Sequence, residues 1–367
     1  MNMPMIHDAA LHTLIDQVRN AASEGRQLDI RGGDTKAFLG GARRGEPLAL
    51  RQLTGVSSYE PTELVVTARA GTLLSELEAT LADAGQYLPF DPPRFAPGGT
   101  VGGMVAAGLA GPARAAVGSV RDYVLGMTLL TGRGEVVTFG GQVMKNVAGY
   151  DVARLLAGSM GVLGVILEVS LKVLPRPKAV RSLALEVDEA NALALIDGWR
   201  RQPLPINATA WHAGELLVRL AGARAAVDAA TKQLGGRGLE QEADQDRWAK
   251  LRDHRHWFFE PKSAQPTDAG ALWRLSVPAG VAPLEIEGDT LLEWGGSQRW
   301  LRTRTDAATV HAAARRAGGH AIRWSGSGPA SERVAPMDAT VLRLHRQLKH
   351  AFDPQGIFNA GRLHPDL

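Results

Sequence analysis

Residues 97–111 read Pro97-Gly-Gly-Thr-Val-Gly-Gly-Met-Val-Ala-Ala-Gly-Leu-Ala-Gly111. This stretch has too little side-chain volume to fill a core, yet its Val, Met, Ala and Leu residues are too apolar for a flexible linker. Because glycine permits close approach of main-chain atoms and positive φ angles, one interpretation is a backbone wall packed against a large flat ligand. A tight glycine-rich turn within an apolar helix hairpin explains this stretch, taken alone, equally well.

The composition is that of an ordinary globular protein. A chain of 367 residues is long for a single core, so two domains are expected. Hydrophobic residues make up 45% of the chain and charged residues 22%, and the net charge of +3 is interspersed rather than clustered. Without a basic block to follow a phosphate backbone, nucleic acid is not the expected partner.

Cysteine is absent from the sequence, which excludes disulfides, a thiol nucleophile and cysteine-ligated iron–sulfur clusters from this chain. The N-terminal residues lack the basic and apolar regions of a signal peptide, and no apolar run reaches the ~18 residues of a membrane span. We therefore expect a cytoplasmic protein that reaches the inner face of the cell membrane only through partner subunits.

A second glycine motif follows a short predicted strand over 28–31. Gly32-Gly33-Asp34-Thr35-Lys36 offers consecutive N–H groups and a lysine, which can cradle a pyrophosphate. The spacing of a P-loop is absent, and an ordinary β-turn is the alternative interpretation of this motif alone.

Hydrophobic periodicity predicts an α+β protein. The predicted helices cover 9–22, 72–85, 151–157, 190–200, 224–234, 307–317 and 341–351, with Thr72 in the capping position of the second. The predicted strands cover 28–31, 64–68, 86–90, 165–173, 182–187, 215–221, 272–277, 290–294 and 298–304, with a hairpin over 127–139. Leu174-Pro-Arg-Pro177 is the best domain boundary. We expect domains over 1–175 and 176–335 and a C-terminal helix and tail over 336–367.

Three further motifs make the pattern specific when they are taken together with the glycine stretches. They are Lys145-Asn-Val-Ala-Gly-Tyr-Asp151, Glu293-Trp-Gly-Gly-Ser-Gln-Arg-Trp-Leu301 and Phe352-Asp-Pro-Gln-Gly-Ile-Phe-Asn-Ala-Gly-Arg362. In this order they resemble the vanillyl-alcohol-oxidase (PCMH-type) flavoprotein family, over about residues 5–175 and roughly the last 25 residues. The resemblance implies a PCMH-type FAD-binding domain, an α+β cap domain and a C-terminal segment that returns to the FAD-binding domain.

The resemblance also implies which residues bind FAD. The pyrophosphate loop is matched by Gly32, Gly33, Asp34, Thr35 and Lys36, and the ribityl and flavin wall by Pro97, Gly98, Gly99, Thr100, Gly102 and Gly103. Segments at the adenosine end are matched by Ser119, Asp122, Val124, Gly161, Val165 and Ile166. Asn359 and Arg362 bring the C-terminus back towards the flavin.

The chain departs from its family at three places. Many relatives carry a histidine in the pyrophosphate loop that bonds covalently to the flavin, whereas Asp34-Thr35 stands here, so we expect dissociable FAD. Met160 replaces a glutamate that hydroxy-acid oxidising relatives carry in a Gly-Ser-Glu-Gly turn. Relatives often place histidines and a carboxylate around a metal in the cap domain. Here the only close histidine pair is His254 and His256, and we interpret it as part of a solvated helix surface without a metal.

Within the family the likeness is to FAD-binding subunits that oxidise a small 2-hydroxy acid, glycolate, to glyoxylate. Such a subunit works with a second FAD subunit and an iron–sulfur subunit. Lys145, Tyr150 and Arg362 are the candidate catalytic residues by motif position. Two alternatives stay open: a self-sufficient FAD oxidase or dehydrogenase for a hydroxy acid or alcohol, and a non-catalytic subunit that merely holds flavin.

The tryptophans are unevenly distributed, since all eight follow the domain boundary. Packing of the cap domain explains most of them, because aromatic side chains dominate core burial. Trp294 and Trp300 are the pair that we expect at a partner interface.

Overall fold

The computed structural model describes residues 8–141, 151–260, 270–326 and 328–367, except for the side chains of 241–243. The helices of this part are α1 (Ala9–Glu24), α2 (Leu74–Asp83), α3 (Val101–Ala107), α4 (Arg114–Val117), α5 (Val120–Tyr123), α6 (Val152–Leu156), α7 (Glu189–Trp199), α8 (Arg224–Leu234), α9 (Gln241–Arg252), α10 (Ala307–Arg316) and α11 (Ala339–Phe352).

The strands of the first half are β1 (Leu28–Arg31), β2 (Glu46–Ala49), β3 (Val56–Glu60), β4 (Val65–Arg69), β5 (Gln86–Tyr87), β6 (Val124–Leu130), β7 (Val136–Gly140), β8 (Val165–Lys172) and β9 (Leu174–Pro175). Those of the second half are β10 (Ala179–Glu186), β11 (Ile206–His212), β12 (Glu215–Gly222), β13 (Arg237–Gly238), β14 (Ala271–Ser276), β15 (Asp289–Glu293), β16 (Gln298–Thr303) and β17 (His320–Ser325).

The chain divides into two compact units. Unit 1 comprises Met1–Leu109, Ser119–Arg176 and Met337–Leu367, and unit 2 comprises Ala110–Gly118 and Pro177–Pro336. The short segment Ala110–Gly118 thus groups with unit 2, although it lies within the domain predicted over 1–175. Its helix α4 packs on β11, a strand of unit 2.

Unit 1 is built on a five-stranded antiparallel sheet in the order β3-β4-β8-β6-β7. The central strand β8 is apolar along most of its length, and Val165, Leu167 and Val169 are all fully buried. Strands β1 and β2 form a separate parallel pair, which Phe358 extends by a parallel bridge to Leu28. The C-terminal segment therefore belongs to the same layer as the strand that leads into the Gly32–Lys36 motif.

Unit 2 is built on an eight-stranded antiparallel sheet in the order β13-β10-β12-β11-β15-β16-β14-β17. Strand β12 pairs between β10 and β11, so the β10-α7-β11 crossover is split by an antiparallel strand. Because side chains alternate along a strand, neighbours such as Leu183 and Ala184 enter different hydrophobic clusters. Each face of this sheet thus has a core of its own.

The α+β class predicted from the sequence is confirmed, and three local predictions need correction. Thr72 does not cap α2; its hydroxyl instead pairs with the backbone of Gly55, accepting from the N–H at 3.0 Å and donating to the carbonyl at 3.1 Å. The strand predicted over 86–90 is limited to β5, and the glycine stretch 97–111, which was absent from the predicted helices, contains the helix α3.

Every helix in the described ranges is too short or too polar to cross a bilayer.

Candidate functional site

The main cleft of unit 1 opens where β1 ends. Its volume is about 800 Å³, open solvent included, which is in the range of cofactor sites. Three walls line it: the end of β1 with the loop that follows, helix α3, and the turn before β8 together with the distant C-terminal segment. The residues predicted for FAD binding that line it are Gly32, Gly33, Asp34, Thr35, Lys36, Thr100, Gly102, Gly103, Gly161, Ile166, Asn359 and Arg362.

The loop after β1 presents free backbone donors. Leu50 N–H closes the β1 ladder on the carbonyl of Arg31, and the helical turn beyond begins with Ala37 N–H bonded to Asp34 O. Between these points, the N–H groups of residues 32–35 donate to no acceptor within the described ranges. Successive unpaired N–H groups in a concave loop are suited to a phosphate group.

Glycine is required in this loop because two backbone segments touch. A Cβ added to Gly33 would lie 1.6 Å from the carbonyl oxygen of Gly98, and one added to Gly32 would lie 2.4 Å from the Thr100 hydroxyl. The loop and the Pro97–Thr100 segment therefore pack back to back, with Gly98 and Gly99 behind the cleft. The two glycine motifs of the sequence are one structural unit.

Helix α3 forms the second wall. The Thr100 side chain caps it by accepting from the N–H of Gly103 at 3.2 Å, and Gly108 ends it with a φ of 64°. Gly102 lets the helix pack closely on the residue that follows β4, because a Cβ there would lie 2.6 Å from the Cβ of Ala70. The stretch thus contains a short helix, and the glycine face of that helix lines the cleft.

The charges around the loop are nearly balanced. Asp29 is buried and accepts from Arg31 Nε at 2.7 Å, and Arg43 reaches Asp34 at 2.7 Å. The hydrogen bond from Arg43 lowers the pKa of the Asp34 carboxyl. The charged residues that line the cleft are three cations and two carboxylates: Lys36, Arg43 and Arg362, with Asp29 and Asp34. The remaining positive charge and the free N–H groups fit a diphosphate.

The C-terminal segment completes the third wall. Asn359 accepts from Ile30 N–H at 2.8 Å and donates to Met160 O at 2.7 Å, so one side chain joins β1 to the turn before β8. Arg362 is buried, and its guanidinium donates to the carbonyls of Gly41 and Ala37. Both residues therefore lie at the cleft, as the resemblance implied, and Arg362 holds the loop that carries the free donors.

A buried ion pair anchors this segment. Lys349 Nζ donates to Asp353 at 2.6 Å, to Val162 O at 2.7 Å and to Phe358 O at 2.8 Å. Asp353 is fully buried and also accepts from the N–H groups of Ile357 and Phe358. The pair fixes the path of the chain into Asn359.

Several residues predicted for FAD binding are not part of the lining of this cleft. Ser119 and Asp122 form a capping box at the start of α5, with the Ser119 N–H donating to Asp122 at 2.8 Å. Val124 and Val165 are buried in the five-stranded sheet and, like Pro97, Gly98 and Gly99, do not line the cleft. Lys145 and Tyr150 lie outside the described residues.

Sequence reasoning also missed part of the lining. The additional residues are Asp29, Ile30, Ala37, Leu39, Arg43, Leu50, Ala106, Ala107, Met160 and Gly164. Most are apolar and resemble core positions in the sequence. The signal that could have found Asp29 is a carboxylate inside a buried strand, which requires a nearby cation.

Two predictions about unit 2 were wrong. His254 and His256 follow the end of α9 instead of lying on a helix surface. His254 stacks on Phe259 with ring centroids 4.1 Å apart, and His256 faces His212 at 5.9 Å. Trp294 and Trp300 are buried, at 8% and 1% exposure, and so belong to the packing of unit 2 rather than to an open interface. In the described part of the chain, no three residues of the metal-ligating types come together.

Comparison with known proteins bears on the cleft and on the whole chain. Residues 11–140 match the FAD binding domain family. The glycolate oxidase subunit GlcE of Escherichia coli K12 is 46% identical over 96% of this chain and 97% of its own length. The glycolate oxidase subunit GlcD of Bacillus subtilis 168 is 27% identical over 49% of this chain and 39% of its own length.

Among solved structures, an alkyldihydroxyacetonephosphate synthase superposes with a TM-score of 0.62 at 15% identity, over 95% of this chain and 75% of its own. At that identity the likeness shows the fold alone. The match to the FAD binding domain confirms the expected cofactor, and the free donors, balanced charge and apolar walls of the cleft fit FAD.

Proposed function

The chain belongs to the family of the glycolate oxidase subunit GlcE, and we propose on this basis that it is the FAD-binding subunit of a complex that oxidises glycolate to glyoxylate. The observation that carries the proposal is the identity to GlcE along nearly the full length of both chains. The likeness to GlcD, another glycolate oxidase subunit, supports a partner flavoprotein.

The cleft residues divide between the two ends of the cofactor. The N–H groups of Gly32–Thr35, with Lys36 and Arg43, hold the diphosphate by hydrogen bonds and charge. The glycine face of α3 and the turn at Met160–Gly161 leave a smooth apolar wall for a planar ring. Bound FAD supplies an acceptor for the two electrons of a hydride. Because Asp34-Thr35 stands where relatives attach flavin through histidine, the cofactor is dissociable.

The three residues predicted to be catalytic are proposed to have different roles. The guanidinium of Arg362 donates hydrogen bonds to the carbonyls of Gly41 and Ala37, which supports a role in positioning the loop after β1. Lys145 and Tyr150 remain the candidates for direct action on the substrate or flavin.

The electrons must leave this chain. A chain without cysteine cannot ligate a cluster through thiolates, so we assign the iron–sulfur centre to a partner subunit and the second FAD to another. Contact with the inner face of the cell membrane is made through these partners.

The test is anaerobic addition of glycolate to the FAD-loaded chain, first alone and then with its partner subunits, while the visible band of oxidised flavin is followed. Bleaching of the flavin in the assembled complex supports the proposal. Bleaching of the chain alone, with turnover that partners do not increase, would identify a self-sufficient enzyme instead. Flavin that glycolate never reduces in any combination would leave a flavin-holding subunit without this substrate.

A further inference from the structure

Another cavity lies wholly within unit 2. Its volume is about 1020 Å³, open solvent included, which is in the range of sites for small organic molecules. It is bounded mainly by α4, by the end of α7 with the loop that follows, by the first half of β11, and by the turn between β15 and β16. These segments all belong to unit 2, and none of the lining residues is shared with the cleft of unit 1.

The charged residues that line this cavity are cations. They are Arg114 and Arg200, and no Asp, Glu or His is among the described residues of the lining. Arg114 lies over Trp294, with its central carbon 4.5 Å from the ring centroid. Arg200 lies 3.5 Å from Asp197, and Arg201 reaches the same carboxylate at 2.8 Å. One carboxylate outside the lining thus serves two arginines, which leaves the cavity with a positive potential.

A β-bulge brings an amide donor to the wall. The pairing of β11 with β12 shifts between Ile206 and Ala208, so Asn207 is the extra residue of the bulge, and its side chain lines the cavity. Its Oδ1 accepts from Arg219 Nε at 2.7 Å, and this contact fixes which end of the amide is the oxygen. The NH2 group at the other end donates to no acceptor in the described ranges.

Two hydroxyl groups add further donors. Thr209 is 5% exposed, and its oxygen accepts from Gly295 N–H at 3.2 Å, while its own hydrogen has no acceptor among the described residues. Ser297 lines the cavity from the turn after β15, and its hydroxyl likewise bonds to no described residue. Because a buried donor without an acceptor costs free energy, this lining favours a bound acceptor.

Much of the remaining lining is apolar. Ile196 is 4% exposed, and Trp199, Leu204 and Ile206 pack against the hydrophobic cluster to which it belongs. All four side chains line the cavity. Cations and uncharged donors therefore occur together with an apolar surface, which is the composition expected for an anion that has an apolar body.

We propose that this cavity binds an organic acid whose carboxylate accepts from Arg200, from the Asn207 amide and from the hydroxyl groups, and whose apolar body packs against Ile196 and its neighbours. A carboxylate only accepts hydrogen bonds, so it matches a lining that offers donors and no competing anion. Glycolate has almost no apolar body, so the acid that fills this cavity is larger than the substrate of the proposed function. The site does not depend on that function.

The probe is isovalerate, which carries a carboxylate on a branched apolar body. Two further molecules each lack one of these features: isovaleramide keeps the body without the charge, and acetate keeps the charge with almost no body. We expect isothermal titration calorimetry of the FAD-loaded chain to show saturable binding of isovalerate. Isovaleramide and acetate should each bind at least ~10-fold more weakly.

The first pair of variants tests the amide donor. Asn207→Asp has the shape of the native side chain and keeps an oxygen for Arg219, but it places a second carboxylate where the ligand binds. It should weaken isovalerate binding at least ~10-fold. Asn20→Asp, at an exposed position of α1, makes the same chemical change outside the cavity and should bind as the wild type does.

The second pair compares neighbouring arginines. Arg200→Gln removes a cation from the lining, whereas Arg201→Gln removes the other arginine that contacts Asp197 and does not line the cavity. The first should weaken isovalerate binding several-fold, and the second should leave it unchanged. Retained FAD and an unchanged midpoint of urea unfolding show that each variant is folded.

Isovalerate that binds the wild type no more tightly than isovaleramide overturns the proposal. So does binding that Arg200→Gln and Arg201→Gln weaken equally, or that a folded Asn207→Asp leaves unchanged. Should Asn207→Asp not fold, the arginine pair and the three probes decide. Inorganic phosphate that displaces isovalerate and binds more tightly overturns the assignment to an organic acid. Because none of these measurements involves reduction of the flavin by glycolate, failure of the proposed function would leave them unaffected.

Discussion

The cleft of unit 1 is built mainly from backbone groups, whereas the buried cluster of Arg274, Glu293 and Trp300 in unit 2 is built from side chains. In the cleft, the backbone supplies the donors, and side chains are removed at Gly32 and Gly33 so that main-chain segments can meet. In the cluster, polar side chains such as Arg274 and Glu293 lie on one face of the sheet, and the register of the strands decides which of them are neighbours. A cleft whose donors are backbone groups leaves a glycine pattern in the sequence. A cluster of side chains that strand pairing brings together leaves almost no local pattern.

The strongest test of a backbone-built cleft is Gly33→Val. The added Cβ would lie 1.6 Å from the carbonyl oxygen of Gly98, so the two segments must separate, at a cost of about 5 kcal/mol or more. We expect the purified variant to retain no FAD, as measured by its flavin absorbance after gel filtration.

Gly141→Ala is the control for this change, because a Cβ there meets nothing within 4 Å. It should retain FAD as the wild type does. A Gly33→Val protein that binds FAD normally would show that the contact between the two glycine motifs is dispensable.

The ion pair behind the cleft gives the next largest effect. Asp353→Ala leaves Lys349 buried without its carboxylate and removes the acceptor for two backbone N–H groups. Breaking such a pair costs about 3 to 5 kcal/mol. Urea unfolding followed by FAD release should show this loss.

The matched change Lys349→Met with Asp353→Leu removes both charges and should recover part of the stability. If Asp353→Ala unfolds with the midpoint of the wild type, the C-terminal segment is not held by this pair.

The buried side chains of unit 2 should instead make the stability of the protein depend on pH. Burial raises the pKa of Glu293 from 4.5 to about 7, so the folded state binds this proton more tightly than the unfolded state does. The contribution of Glu293 to stability is therefore full below pH 4.5, falls by about 3 kcal/mol as the pH rises to 7, and is constant above it.

The measurement is the difference in unfolding free energy between wild type and Glu293→Gln, followed by tryptophan emission from pH 4.5 to 8. A difference that stays level across that range would mean that Glu293 is as well solvated in the folded state as in the unfolded one.

The smallest effect is expected at Asp34, in the loop of the cleft. Arg43 lowers the pKa of this carboxyl below its usual 3.8, so the stability it gives is present above that pH and is lost as the pH falls through the lowered value. Its side chain is 40% exposed, which limits the contribution to under ~1 kcal/mol. Urea unfolding of wild type and Asp34→Asn should differ at pH 6, and the difference should shrink as the pH falls below 3.8. A difference that grows on acidification would contradict this origin.

The sequence predicted the backbone-built region well. The strand β1, the loop after it and the hairpin of β6 and β7 follow from local patterns of glycine and apolar residues. The family resemblance placed Asn359 and Arg362 at the cleft, which no local pattern could do, because their contacts lie more than 300 residues away.

The failures have a common physical cause. Thr72 satisfied a local capping rule, but a tertiary hydrogen bond to Gly55 took its hydroxyl. His254 was interpreted as a surface residue because Asp253 and Arg255 flank it, and Trp294 was assigned to a partner interface. The packing of unit 2 instead stacks His254 on Phe259 and buries Trp294. Long-range packing, which a single sequence does not encode locally, decided each of them.

The hydrogen bond between Ile30 and Asn359 spans 329 positions of the chain, and this has a consequence for biosynthesis. At the ~5 to 20 residues per second of translation, roughly 15 to 65 s pass between the emergence of β1 and that of its last partner. During this time the nascent first unit lacks its third wall, so FAD is captured only after the ribosome has passed Arg362. Loading of the cofactor is thereby a checkpoint that a prematurely terminated chain cannot pass.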